Sequence, residues 1–212
     1  MSNLLYKEFR LAINPFFYVM PVLLGALMFI PQWIFFFVPL YFCFITAPNL
    51  FGVLKSNNDV SYSVMLPVSK REIVLARIAS IVTLELLHIV MAVVFAIIHN
   101  ILYSSSNIFM DPSYAYFGLV FVMFGLFNVI LFPMYYKTAY KYGAPVIIST
   151  VVAVLFAALV EVSVILNKDV AVFLEGSITR QLVILAVGIL FFLVVNAVAY
   201  KMGVKRFEKV DV

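Results

Sequence analysis

Glu85 and His88 stand three residues apart, so on a helix both side chains leave the same face. A carboxylate and an imidazole in that register can share a proton, relay one, or ligate a metal. The same Glu-x-x-His spacing occurs in di-iron helix bundles, but those sites need two such motifs and two further glutamates, and this chain has one motif. Glu161 is the third ionisable group in an apolar stretch. A charge at the centre of an apolar span costs about 2.5–3.5 kcal/mol on insertion scales, so these groups should face protein or water and not lipid. A mutual Glu85–His88 contact, a proton relay and the lining of a translocation route all fit that pattern. Neither Gly-x-Ser-x-Gly nor His-Glu-x-x-His occurs, so hydrolase chemistry has no visible residues and no metal or cofactor is expected on this chain. The single cysteine, Cys43, lies in an apolar run and reads as a small buried hydrophobe.

The elements that must position these groups follow from composition. Of 212 residues, 66% are hydrophobic and 11% charged, and the mean hydropathy is +1.14; a soluble domain carries about a quarter charged residues. The chain therefore reads as an all-α membrane protein forming a single transmembrane domain over 1–212. Apolar runs predict six spans, at 15–31, 33–54, 70–102, 113–136, 145–166 and 179–200, followed by a tail at 201–212. Pro31-Gln32 is the sole break between the first two, which predicts a tight hairpin with Trp33 at the turn. Lys7, Glu8 and Arg10 stand where the apolar region of a secretory signal would be, so the amino terminus is expected to be retained.

Twelve of the fourteen lysines and arginines fall on one side of a six-span arrangement, Lys168 and Arg180 on the other. The positive-inside rule then makes both termini cytoplasmic, and the net charge of +4 reflects this orientation in a lipid bilayer, with no nucleic-acid partner. In the fifth span Ser149, Ala153, Ala157 and Glu161 step by four, a small-residue surface suited to close helix packing, with a subunit interface as one candidate.

Residues 2–14 place Asn3, Lys7, Arg10 and Asn14 on one helical face and Leu5, Phe9, Ala12 and Ile13 on the other, predicting an amphipathic interfacial helix stopped at Asn14-Pro15. Lys55 to Glu72 is the main polar interruption. Asn57, Asn58 and Asp59 can each cap a short helix, Leu66-Pro67 ends it, and Ser69-Lys-Arg-Glu72 fits a capping box that opens the third span. Val60, Val64, Met65 and Leu66 would be apolar residues exposed to water unless another surface covers them, and burying each is worth about 1.5–3 kcal/mol.

The start Tyr6-Lys-Glu-Phe-Arg10, the hairpin, Asn58-Asp59 followed by Leu66-Pro-Val-Ser-Lys-Arg-Glu-Ile-Val74, and the basic tail from Tyr200 together resemble the short six-span permeases of type-2 ABC exporters. That resemblance implies a bacterial cytoplasmic-membrane subunit pairing with a second copy or a paralogue and binding two separate ABC ATPase subunits. These partners would carry the ATP and Mg, since this chain has no Gly-x-x-x-x-Gly-Lys-Ser/Thr loop. It further implies that residues 2–13, with Leu5, Lys7, Phe9 and Arg10, act as a connecting helix. Residues 56–68 would be the coupling loop, with Asn58, Asp59, Val60, Tyr62, Val64, Met65, Leu66, Ser69 and Glu72 as the ATPase-coupling residues. The implied activity is export of an amphipathic peptide, antibiotic or lipid. An ion-coupled carrier using Glu85, His88 and Glu161 and a purely structural membrane subunit are the alternatives. The loops at 103–111 and 167–178 are too short for a large external domain.

Overall fold

Proline, glycine and hydroxyl or amide caps set several of the helix ends, and the computed structural model describes residues 2–103 and 108–210. The described residues are helical with no strand. Helix α1 (Ser2–Lys7) runs into a π turn at Glu8–Ala12, then Asn14 accepts a 2.9 Å bond from the Phe16 N–H and starts α2 (Phe16–Gly25). Helix α2 continues as a 3-10 turn at Ala26–Phe29 and stops there. Ile30 precedes Pro31 and is extended (ψ 116°), the conformation that a following proline enforces.

The first two expected spans change accordingly. The apolar helix Phe16–Phe29 is shorter than the five helices that, among the described residues, are long and apolar enough to cross a membrane: Phe37–Ser56, Lys70–Leu102, Tyr114–Tyr135, Gly143–Leu166 and Ile178–Phe207. The break between the first two spreads from Ile30 to Phe36, with Gln32 left-handed (φ 57°), so the second span starts at Phe37 and not at 33. That span comprises α3 (Phe37–Tyr41), a π turn at Phe42–Thr46 and α4 (Ala47–Ser56). Pro48 has no N–H to return to Phe44, and the wider turn lies immediately before it.

Helix α5 (Asp59–Met65) is the short element expected in the polar loop. Helix α6 (Lys70–Leu102) opens on the expected capping box: the Ser69 N–H donates to Glu72 Oε2 at 3.0 Å, and the Glu72 N–H donates to Ser69 Oγ at 3.3 Å. At 1.5 Å per residue its 33 residues make about 50 Å of helix. There follow α7 (Tyr114–Tyr135), α8 (Gly143–Leu166), a short α9 (Lys168–Glu175) capped by Asn167 in what reads as loop from sequence, and α10 (Ile178–Phe207). The last helix passes the expected end at 200. Gly203 and Val204 are still buried, and Phe207 is fully buried with its ring 5.2 Å from Tyr136, so seven tail residues gain by staying helical.

Helix α7 is the core of the bundle and α10 its most exposed span, with 67% against 17% of their most apolar windows buried. The two nonetheless cross at backbone contact: a Cβ on Gly188 would lie 2.1 Å from the Gly118 carbonyl oxygen, so no side chain fits there. Ser149, Ala153, Ala157 and Glu161 are all buried within the chain, so the small-residue stripe of α8 packs internally and is not presented to a second subunit.

Candidate functional site

Helix α5 is turned inside out relative to an ordinary surface helix. Its polar residues Asp59 and Ser63, one turn apart, are buried, while Tyr62 and Met65 are 60% and 83% exposed. Val60, Val64 and Leu66 are half-buried, the two valines against the apolar core. Asn58 occupies the N-cap position in the left-handed region (φ 48°), but its side chain makes no capping bond. Asp59 does not cap either; its carboxylate points into the protein.

What it meets there is Arg77, two turns into α6 and 2% exposed. Arg77 grips Glu8 with two parallel bonds, Nε to Oε2 at 2.7 Å and Nη2 to Oε1 at 3.0 Å. The same Nη2 donates to Asp59 Oδ2. Lys7 closes the group, with Nζ 2.6 Å from Asp59 Oδ1 and 2.5 Å from Ser63 Oγ. Ser63 Oγ donates in turn to the Asp59 carbonyl at 2.7 Å. Two cations and two carboxylates thus form a neutral box that ties three elements together: the start of the chain, α5 and α6. Burial by itself raises the Asp59 carboxyl, but Arg77 and Lys7 outweigh it and hold that group below the usual aspartate value.

The amphipathic reading of residues 2–14 is altered at the same place. Lys7, expected on a water-facing side, is directed at Asp59, and Glu8 is 2% exposed. Ala12 and Ile13 are buried, Leu5 and Phe9 half-buried, and Asn3 and Arg10 exposed. Arg77 and Glu8 were not singled out from sequence as site residues. The one sequence signal was at Arg77, an arginine flanked by Leu75, Ala76, Ile78 and Ala79; Glu8, between Lys7 and Arg10, carried none.

The intramembrane candidates separate into two places. Glu85 and His88 are both buried but each has its own partner: Glu85 Oε2 accepts from Asn128 Nδ2 at 2.8 Å, and His88 Nδ1 bonds the Leu84 carbonyl at 2.8 Å. Asn128 also donates to Asn196 Oδ1 at 3.1 Å, so one polar ladder crosses α6, α7 and α10. The Phe42 ring lies edge-on to His88, with centroids 5.1 Å apart. Glu161 lies elsewhere, accepting the Met110 N–H at 3.1 Å, while Glu175 accepts the Asp111 N–H at 3.3 Å. These two carboxylates hold the turn before α7 and do not join Glu85. Among the described residues no cluster of three or more His, Cys, Asp or Glu is arranged to hold a metal ion.

Nothing among curated proteins or solved structures matches this chain. Residues 3–208, which reach into every element from α1 to α10, match the family described as ABC-2 family transporter protein. The multi-pass helical bundle and this match over nearly the whole length lead to one conclusion: the chain belongs to the ABC-2 transporter family and is a membrane permease of that kind.

Proposed function

We propose that this chain is the permease subunit of an ATP-driven exporter in a bacterial cytoplasmic membrane, and that α5 is the element on which separate ATPase subunits push. The observation that carries this reading is the inverted α5. Its polar side is bonded to Arg77 and Lys7, and its opposite side offers Tyr62 and Met65 to a partner. A force applied to those side chains reaches α6 through Asp59 and Arg77, and α1 through Lys7 and Glu8. The cavity of about 390 Å³ between α5 and the segment Thr138–Tyr140 leaves α5 room to shift.

In this reading Phe16–Phe29 acts as the first of six spans, both termini are cytoplasmic, and the coupling surface comprises Asn58, Val60, Tyr62, Val64, Met65 and Leu66. Ser69 and Glu72 fix the start of α6 behind it. Two ATPases carry ATP and Mg, and two permease copies or a copy and a paralogue enclose the path. The cargo is amphipathic, in keeping with the apolar walls of the spans. The test is co-expression with an ATPase of the same transporter class. Tyr62→Glu with Met65→Glu should abolish co-purification while leaving membrane insertion and the melting temperature unchanged. An ATPase that remains bound to this double variant would remove α5 from the coupling role.

A further inference from the structure

At the α5 end of the bundle, α7 and α10 finish side by side and leave a recess of about 330 Å³ lined by Lys137, Arg206, Lys209 and Val210. No carboxylate among the described residues lines it, and Glu208 on the same helix end is engaged with Arg71 at 2.9 Å. Arg206 is held in place by α7, donating Nη1 to the Pro133 carbonyl at 2.8 Å. One bond uses one of five guanidinium N–H donors. The two lysines have no ion-pair partner among the described residues.

Directly along α10 from Arg206, every fourth residue is an exposed hydrophobe: Met202, Val198, Val194 and Leu190. From Arg206 to Val194 is about 18 Å of helix, close to the depth of one leaflet, ~15 Å. Three cations stand at the head of an apolar strip one leaflet deep. We infer that this recess binds the phosphate of an anionic phospholipid, with one acyl chain lying on α10. Charge selects the headgroup and the strip accommodates the tail, a combination that neither a free anion nor an uncharged lipid exploits in full. The inference rests on α7 and α10 alone and stands or falls separately from the role of α5.

The experiment is native mass spectrometry of the delipidated full chain titrated with phosphatidylglycerol or phosphatidylcholine of identical acyl chains. Wild type should retain phosphatidylglycerol preferentially. Lys137→Gln with Lys209→Gln should weaken that retention roughly thirtyfold, from about fivefold per lysine, and Lys137→Arg with Lys209→Arg should restore it. The opposite-end control Lys168→Gln should change nothing. Equal retention of the two lipids, retention unaffected by the double Gln variant, or displacement by millimolar inorganic phosphate would each overturn the assignment. So would a change of oligomeric state in the double Gln variant without a change in lipid, since the strip would then seat a second copy of the chain.

Discussion

Removing the Arg77 guanidinium is the sharpest perturbation of the buried box. Arg77→Met deletes three charge-assisted bonds, two to Glu8 and one to Asp59, and leaves two buried carboxylates facing the single ammonium of Lys7. Bonds to charged groups are worth about 1.5–3 kcal/mol each, but they are not additive. Breaking a buried pair by removing one partner costs about 3–5 kcal/mol, mostly from the orphaned charge. Converted at 1.4 kcal/mol per decade, that is roughly two to three and a half orders of magnitude in the equilibrium for undocking α1 and α5. Hydrogen–deuterium exchange of the protein in nanodiscs reads this directly: amides of residues 4–13 and 60–65 should lose protection, while those of α7 keep theirs. Adding Glu8→Leu to Arg77→Met should recover part of the loss, because it removes one of the stranded charges, and the cycle should show coupling of about 1 kcal/mol or more. Unchanged protection of both segments in Arg77→Met would refute the claim that this box holds α5 against α6.

Acid should open the same box. The Asp59 carboxyl is held below its usual value in the folded protein, so its contribution is present above the ordinary aspartate range, near pH 4, and is lost as pH falls through the lower folded value. Exchange of residues 60–65 should rise on that descent, and Asp59→Asn should flatten the response. The α7–α10 crossing makes a steric prediction: Gly188→Val should abolish recovery of folded monodisperse protein, because its Cβ would meet the Gly118 carbonyl at 2.1 Å. Gly143→Ala, with nothing within 4 Å of the added carbon, should shift the melting temperature by only a few degrees.

Local signals carried far along this chain. The apolar runs fixed the membrane class, and the run starting at Lys70 predicts α6 over its whole length: the capping box marks its start, because it depends on residues three apart, and no proline or glycine interrupts it as far as Leu102. Asn58 to Leu66 likewise reads as a short helix, and α5 is there, but without the side-chain cap the sequence predicts. The first hairpin was less legible, since the extended Ile30 and the left-handed Gln32 depend on how two spans pack as well as on Pro31. The continuation of α10 past Tyr200 depended on Phe207 finding Tyr136, far away in the chain.

The sequence by itself thus determined what most elements are: apolar helices of spanning length, a main polar interruption, and a capped start to the longest helix. Tertiary structure alone decided which charges meet. Arg77 reaches Glu8 across 69 residues and Asp59 across 18, and Glu85 reaches Asn128 across 43. Periodicity tells which face of a helix a side chain leaves from, but not what lies opposite. A charge therefore reads as water-facing until its counter-charge is located, and that is why Lys7 and Asp59, expected at the surface, instead face each other on the inner side of α5.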